Sequence, residues 1–187
     1  MSFNLTQLEQ FRNNLLAMRD DVPAIMEELV VGEGVYAVKQ AKQIAKNDNP
    51  DIVNTGNYRS SFHCGSKALA LGHSSSAHDG SRPEVNGKTY RIDVYNNSDY
   101  AKHLEYGFRS HWVPGKWQGR TFVYIKGYRP VPGDSNDPGG MYVGPKDGFV
   151  RGRFVLRRAL RRTKATQHAR LERKFNKKVK EYIERGL

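Results

Sequence analysis

Four residues in one stretch of the sequence carry side chains that can bind metal ions, namely His63, Cys64, His73 and His78. Structural zinc sites use thiolate and imidazole ligands that mostly come in closely spaced pairs. Here one thiol and three imidazoles are spread loosely over a segment rich in Gly and Ser. We therefore interpret the segment as a polar loop, and we predict neither a metal nor another cofactor.

Two further motifs resemble ligand-binding loops but lack residues that such loops need. The stretch TGNYRSS, from Thr55 to Ser61, has neither the lysine nor the glycine spacing of a phosphate-binding loop. The stretch DSNDPGG, from Asp134 to Gly140, lacks the pattern of a calcium-binding loop. Because no Ser/His/Asp or Cys/His arrangement and no carboxylate pair is recognisable either, we predict no catalytic residue and no enzymatic activity.

The basic residues are concentrated at the C-terminal end. The chain has a formal net charge of +12, and residues 146–187 contribute fifteen Lys or Arg and four Asp or Glu. Such a segment can be a solvated helix face that packs on the body, can bind an acidic surface of another protein, or can bind nucleic-acid phosphates with salt-dependent affinity. The sequence leaves these alternatives open. The candidate charged contacts are Arg157, Arg158, Arg161, Arg162, Lys164 and Arg170.

The length of 187 residues suits a single domain, 1–187. The one cysteine, Cys64, cannot form an internal disulfide, which is typical of a reducing compartment. No apolar run reaches the ~20 residues of a membrane span, and the start MSFNLTQLEQF lacks the features of a signal peptide. We therefore expect no membrane partner and assembly in the cytosol.

Residues 1–50 are predicted to form two helices. Apolar residues recur three or four positions apart, as on one face of a helix, at Leu5, Leu8, Phe11, Leu15 and Met18. The sequence from Asp20 to Pro23 is typical of a helix start, so a second helix is expected from there to the NDNP sequence at 47–50. Gly32 and Gly34 weaken a helix and are expected to mark a bend in it.

Residues 51–107 are predicted to form a sheet and a short helix. Alternation around Asn86-Gly87 predicts a hairpin, and SDYAKHLEYG, from Ser98 to Gly107, has helix signals at both ends. Glu105 falls in the last turn of that helix, where the helix dipole disfavours a carboxylate. We therefore expect a cation to pair with Glu105, either Arg59 of the same chain or a group on a neighbouring subunit.

Residues 108–152 are rich in Gly, Pro and aromatic residues, and they are predicted to form a long loop or hairpin arm that projects from the body. Aromatic side chains on such an arm usually contact a partner surface. They are Trp112, Trp117, Phe122, Tyr124 and Tyr142. Residues 153–187 are predicted to form a basic C-terminal helix that is kinked near TKATQH, at 163–168.

Three motifs, taken in order, resemble a known family. They are TGNYRSSF at 55–62, VYNNSDYAKHLEYGFRS at 94–110 and GFVRGRFVLRRAL at 148–160. Together they are similar to the bacteriophage tail-component family named for gene ten of a lambdoid coliphage, and the resemblance runs from Ile52 to Leu160. The matching positions are Thr55, Gly56, Arg59 and Ser60 or Ser61 in the first motif, Tyr100, Ala101, Glu105, Tyr106 and Gly107 in the second, and Gly152, Arg153 and Phe154 in the third. Tyr58 stands where the family has leucine.

The resemblance implies an α+β fold in which a small antiparallel β-sheet packs with N-terminal and C-terminal helices. It also implies a structural virion protein that forms a homomeric ring at the head–tail junction, or neck, and completes the tail. The implied partners are further copies of the chain, the connector or adaptor, the tail-tube or tail-terminator proteins, and genomic DNA that passes non-specifically through the lumen.

Assembly is then expected in the host cytoplasm, and the final location is the neck of the virion. Contacts with subunits or partners are expected at Arg59, Tyr100, Glu105 and the five aromatic residues of the arm. The long arm and the basic tail distinguish this chain from shorter members of the family and leave its neck position open. The alternative function is a small basic nucleic-acid-binding protein whose C-terminal helix contacts phosphates.

Overall fold

The computed structural model describes residues 5–48, 56–66, 76–130, 133, 137–145 and 148–184. Within these ranges the chain has helices towards both ends and short strands between them. The helices are α1 (Leu5–Asn47), α2 (Asn57–Ser60), α3 (Ala101–Tyr106) and α4 (Val155–Ile183). Several residues named above lie outside the described residues, namely Asn49, Pro50, Thr55, His73 and Asp134 to Asn136.

The strands of the described residues pair with antiparallel neighbours in four small sheets, and an isolated parallel bridge joins Cys64 of β1 to His78. The strands are β1 (Phe62–Gly65), β2 (Glu84–Asn86), β3 (Thr89–Arg91), β4 (Asp93–Asn96), β5 (Gly107–Arg109), β6 (His111–Gln118), β7 (Thr121–Tyr124), β8 (Gly140–Val143) and β9 (Phe149–Arg151). Strand β1 pairs with β4, β2 with β3, and β5 with β9, while β6 lies between β7 and β8. The predicted α+β class, with helices at both ends and small antiparallel sheets, is confirmed.

The chain falls into two compact units, one made of Met1–Ala101 with Val155–Leu187 and the other of Lys102–Phe154. In the first unit, α1, β1 and α4 supply the largest fully buried side chains, which are Phe62, Val38, Val155 and Cys64. The second unit contains β5 to β9, and the predicted hairpin arm corresponds to β6 and the strands on either side of it. That 1–187 forms a single domain, in the four segments given above, stays a prediction.

Helix α1 is continuous from Leu5 to Asn47, so the prediction of two helices that meet at Asp20–Pro23 is wrong. A proline inside a helix removes a hydrogen bond and costs about 3 kcal/mol. Tyr182 of α4 offsets part of this cost because it contacts α1 on both sides of Pro23. Its ring packs with Ile25, and its hydroxyl donates to Asp21 at 2.6 Å. This long-range packing has no signal in the local sequence.

The two glycines of α1 do not interrupt the helix either, and they serve close packing instead of a bend. A Cβ atom at Gly34 would lie 3.0 Å from Sγ of Cys64 and 3.1 Å from Cγ2 of Ile92. The missing side chain therefore lets β1 approach α1 closely. A Cβ atom at Gly32 would lie 2.8 Å from Nζ of Lys174, at the flexible end of a side chain of α4.

Helix α4 runs antiparallel to α1 and is continuous through residues 163–168, where the sequence predicted a kink. Tyr182 near its end contacts Asp21, as described above, and Nη1 of Arg158 near its start lies 2.8 Å from Oδ1 of Asp48. The hydroxyl of Thr163 donates to the carbonyl of Ala159 at 2.9 Å, so this polar group is satisfied without breaking the helix. Contact with α1 along the whole length keeps α4 regular.

Neither α1 nor α4, nor any other helix in the described ranges, combines the length and apolar character that a membrane crossing requires.

Candidate functional site

A buried ion pair joins the middle of α4 to the middle of α1. Nε of Arg170 donates to Oε1 of Glu33 at 2.9 Å, and Nη2 donates to Oε2 of the same carboxylate. Nη2 also donates to the carbonyl of Thr163 at 3.1 Å, and the guanidinium lies 3.7 Å from the ring centroid of Tyr36. The hydrogen bond to Glu33 outweighs burial and raises the pKa of Arg170. The planar, bidentate geometry is specific to arginine.

Further cations of α4 pair with acidic residues of α1. Nζ of Lys178 lies 2.7 Å from Oε2 of Glu28, and Nζ of Lys174 lies 3.9 Å from Oε1 of Glu33. Together with the Arg158–Asp48 pair, these contacts pair part of the basic segment with acidic residues of the same chain. From the sequence, acidic partners of this segment were expected on other proteins. The charges of α1 and their spacing against α4 would have been the signal for this intramolecular pairing.

Arg170 requires a correction, because it was a candidate for contact with DNA or with an acidic partner protein. Its side chain is buried and pairs with Glu33, so its guanidinium N–H groups already donate hydrogen bonds within the protein. The other candidates differ from it. Arg158 pairs with Asp48 and keeps 44% of its side chain exposed, and Arg162 is exposed.

The outer face of α4 carries a row of exposed basic residues, which we call the basic stripe. Its members recur four, three and four positions apart, which places them on one side of the helix. They are Arg157, Arg161, Lys164 and His168. His168 also lies 3.8 Å from Glu172 one turn further on. The stripe is therefore a cationic surface that an acidic partner can reach.

The three-stranded sheet of the second unit presents exposed aromatic side chains, which we call the aromatic sheet. Trp112 of β6 lies opposite Tyr142 of β8 in the register, with ring centroids 6.3 Å apart. The indole covers Gly140, since a Cβ atom there would lie 2.7 Å from Nε1 of Trp112. Both rings are nevertheless exposed, Trp112 to 48% and Tyr142 to 40%.

A second aromatic group lies at the β6–β7 end of the same sheet. Trp117 is paired with Phe122 in the register, and their rings meet edge to face with centroids 5.3 Å apart. Tyr124 follows two residues after Phe122, which places both on one side of β7. Trp117 and Tyr124 remain more than half exposed. The structure thus brings the five predicted aromatic residues onto one small sheet.

The remaining predicted contacts are distributed over both units. Arg59 lies exposed in α2, and the half-exposed ring of Tyr100 has its centroid 6.2 Å from that of Tyr58. Glu105 is buried in α3, and its backbone carbonyl accepts a hydrogen bond from the amide of Phe154 at 3.2 Å. Because Arg59 and Glu105 belong to different units, their pairing stays a prediction.

A polar cluster around Asp79 was not predicted from the sequence. One oxygen of Asp79 accepts hydrogen bonds from the amide and the hydroxyl of Ser81, at 2.9 and 2.6 Å, and the other accepts one from the hydroxyl of Tyr95 at 2.9 Å. Burial alone would raise the pKa of Asp79, but the hydrogen bonds from Ser81 and Tyr95, with the charge of His78, hold it below the ordinary 3.8. Burial and then Asp79 raise the pKa of Cys64 to about 11, so the thiol is protonated near neutral pH.

The cluster is a structural connection between β1, β4 and the segment before β2. The imidazole of His63 is within 2.9 Å of the carbonyl of Ser76, and that of His78 is within 2.9 Å of the carbonyl of Ser81.

In the described part of the chain, no three His, Cys, Asp or Glu side chains are placed to hold a metal ion. The arrangement gives protein–protein contact surfaces as the candidate sites, chiefly the basic stripe and the aromatic sheet.

Comparison with known proteins agrees with this interpretation. A family model described as "Bacteriophage HK97-gp10, putative tail-component" matches residues 9–107, more than half of the chain. The match includes α1 and ends before the aromatic sheet and α4, whereas the motifs had suggested a likeness from Ile52 to Leu160. No curated protein and no solved structure matches the chain.

Proposed function

This chain belongs to the HK97-gp10-like family of bacteriophage tail components, and from that membership we propose that it forms a homomeric ring at the head–tail junction. A protein of this family is a structural part of the virion. In the proposed ring the protein completes the tail by joining the connector or adaptor to the tail-tube or tail-terminator proteins. Genomic DNA passes through the lumen, and the ring is assembled in the host cytoplasm.

The exposed side chains of the aromatic sheet are the structural observation that supports this proposal. Exposed aromatic side chains that are held on a rigid strand pair lose little conformational freedom on binding. Trp and Tyr are the residue types that most often supply the energy of protein–protein binding. Trp112, Trp117, Tyr124 and Tyr142 are between 40% and 60% exposed. Trp112 and Trp117 are five residues apart on β6, so the Trp112–Tyr142 pair and the Trp117–Phe122 pair belong to opposite faces of the sheet. Each face fits contact with an adjacent virion protein better than contact with solvent.

The basic stripe is compatible with DNA that passes through the lumen and is bound only weakly. DNA must slide through the channel, so a few cations that attract phosphates non-specifically are suitable, and a dense set of specific contacts is not. Arg157, Arg161 and Lys164 are exposed at one side of α4. Arg170, Lys174 and Lys178 pair with acidic residues of α1 instead. The number of cations available to phosphates is therefore smaller than the sequence suggests.

A small nucleic-acid-binding protein is the second candidate function, and the regular spacing of the basic stripe is the observation that favours it. It requires affinity for short duplex DNA that persists in the absence of other virion proteins. The tail-component function requires affinity for neighbouring virion proteins. The two functions can therefore be distinguished by substitution. The tail-component function predicts that changes in the aromatic sheet weaken binding to virion proteins, and the nucleic-acid-binding function predicts that changes in the basic stripe weaken binding to DNA.

The test uses the full-length chain, alone and with the connector and tail-tube proteins encoded by neighbouring genes. Native mass spectrometry and negative-stain imaging should reveal a ring of fixed stoichiometry that binds these proteins. Trp112→Ala and Trp117→Ala should each weaken that binding by about 30-fold, as expected when an aromatic anchor worth about 2 kcal/mol is removed.

Arg120→Ala is the matched control, because Arg120 is exposed in the turn between β6 and β7 and belongs to neither aromatic pair. This variant should bind as the wild type does. A chain that stays monomeric with all of these proteins present, and that never enters a particle, would refute the proposed function.

A further inference from the structure

Helix α1 extends beyond the end of α4. Because the helices are antiparallel, Tyr182 close to the last residue of α4 lies beside Asp21, and the earlier residues of α1 continue past that point. We call residues 5–20 of α1 the overhang. At 1.5 Å per residue the overhang is about 24 Å long. An isolated helix of about this length is marginally stable in water, so a packing partner would stabilise it.

The overhang carries an apolar seam with the spacing of a coiled coil. Apolar residues alternate three and four positions apart over three heptads of α1, at Leu8, Phe11, Leu15, Met18, Val22, Ile25 and Leu29. Such a pattern marks positions a and d of a helix that packs on another helix. The continuity of α1 through Pro23 is what joins the residues before and after the proline into one seam.

Among the described residues, cover is seen for one half of this seam. Ile25 and Leu29 are buried against Tyr182, and Met18 packs partly against them. Leu8, Phe11, Leu15 and Val22 remain exposed, between 39% and 52%. The exposed half is a direct continuation of the α1–α4 interface, and it has the same residue types and the same spacing. It is therefore a surface suited to packing on a helix, and no helix of the described residues covers it.

We propose that the exposed half of the seam is covered by the same segment of a second copy of this chain. An apolar seam excludes nucleic acid as the occupant, and a copy supplies Leu, Phe and Met side chains at matching intervals. Charge permits the pairing, because residues 5–22 contain two basic and three acidic residues, whereas α4 contains eleven basic and two acidic residues. Copies are thus not held apart at the overhang as they would be at α4.

The flanking residues favour a parallel, in-register pair. With Leu8 and Leu15 at position a, the exposed Arg12 and Arg19 occupy position e and the exposed Gln7 occupies position g, whereas Asn14, also at position g, is buried within the chain. A parallel pair sets Arg12 beside the amide of Gln7 of the other copy, whereas an antiparallel pair sets arginine beside arginine. Like charges in that place are unfavourable, so Leu15 of one copy faces Leu15 of the other.

This inference goes beyond the proposed function, because a two-fold contact pairs two copies and does not by itself close a ring, and its test is separate. Sedimentation of the full chain should reveal self-association that Leu15→Glu weakens by at least tenfold. Leu160→Glu is the matched control, since Leu160 of α4 is 44% exposed and Leu15 is 43% exposed. Circular dichroism of both variants checks that the helices are retained.

A second measurement identifies the occupant directly. Leu15→Cys should form a disulfide-linked dimer under mild oxidation, and Leu160→Cys should not, while the native Cys64 is buried and does not interfere. Equal cross-linking of the two variants, or unchanged self-association of Leu15→Glu, would overturn the seam proposal. The ring function would stand in that case, because it is tested by binding to the connector and tail-tube proteins and by Trp112→Ala.

Discussion

Arg170 illustrates how one residue changes role when its surroundings are known. It lies in a segment whose charge suggests a phosphate contact, but it is buried with Glu33 and with the ring of Tyr36. Two buried charges are costly to remove from water, and their mutual contact and the bond to the carbonyl of Thr163 offset that cost. The pair also fixes the register of α4 on α1, because only one pairing satisfies both groups.

We predict that Arg170→Ala destabilises the protein by about 3–5 kcal/mol, because it leaves Glu33 buried without its main partner. Urea unfolding, with the midpoint and slope both recorded, measures the loss. Arg161→Ala, on the exposed side of the same helix, should change stability by less than about 0.5 kcal/mol.

The double variant Glu33→Met with Arg170→Met separates an ion-pair effect from a packing effect. It should recover most of the stability lost in Arg170→Ala, since apolar groups of similar volume often replace a buried pair without loss. A double variant as unstable as the single one would contradict this account of the pair.

Asp79 makes a pH-dependent contribution to stability. Its pKa in the folded protein lies below the ordinary 3.8, so its contribution is fully present above that value and is lost as the pH falls through the folded pKa. We predict that stability declines as the pH falls below 3.8 and through the lower pKa of the folded state, and that Asp79→Asn flattens this part of the curve. Chemical unfolding at a series of pH values tests it.

Asp99→Asn is the control for the pH experiment, because Asp99 is exposed and belongs to the same unit. This variant should keep the decline of the wild type. If Asp79→Asn lost stability at low pH as steeply as the wild type, the Asp79 cluster would not be the origin of the effect.

At the scale of elements, the packing of α1 depends on where its two glycines lie. Glycine in a helix costs about 0.5–1 kcal/mol relative to alanine. At Gly32 a new methyl group meets only the end of Lys174, which can move, whereas at Gly34 it meets Cys64 and Ile92 at 3.0 and 3.1 Å. The same substitution should therefore have different effects two residues apart.

We predict that Gly32→Ala stabilises the protein by about 0.5–1 kcal/mol and that Gly34→Ala gains nothing or is destabilising. The two variants serve as controls for each other in thermal or urea unfolding. Equal gains at both positions would mean that β1 can withdraw from α1 without cost.

For the whole molecule, the main issue is how much of the positive charge is available to nucleic acid. The count of 31 Lys and Arg residues overstates this amount, because cations of α4 pair with Glu28 and Glu33 of α1 and with Asp48 just after it. Exposed cations of α4 remain on the basic stripe and also at Arg162, Arg173, Lys177 and Lys180. Part of the positive charge of α4 is thus paired within the fold of the protein itself.

We predict weak, sequence-independent binding of short duplex DNA that falls with salt concentration. Changing Arg161 and Lys164 to Ala should reduce the slope of log affinity against log salt by about two, close to one per phosphate contact. Fluorescence anisotropy at several salt concentrations measures this. The same double variant should still bind the connector and tail-tube proteins, and loss of that binding would mean that the stripe faces a protein.

Several features were accessible from the sequence because they depend on local patterns. Periodic apolar residues predicted helices at both ends, and the Asn86-Gly87 turn predicted the pair of β2 and β3. The motifs around Gly56 and Glu105 indicated the family that the comparison found over residues 9–107. The Gly, Pro and aromatic content of residues 108–152 predicted a contact region, which stays a prediction, and did not indicate the sheet that holds these side chains.

Composition and short-range periodicity were enough to predict the two terminal helical regions and the concentration of charge, and the resemblance of three motifs indicated the family. The continuity of α1, the burial of Arg170 and the contact of Gly34 with Cys64 became visible in the folded chain alone. Each of these depends on groups far apart in the chain, such as Asp21 with Tyr182 and Glu33 with Arg170. Local propensity at Pro23 and the charge of Arg170 favoured other outcomes, and the packing of α4 on α1 outweighed them.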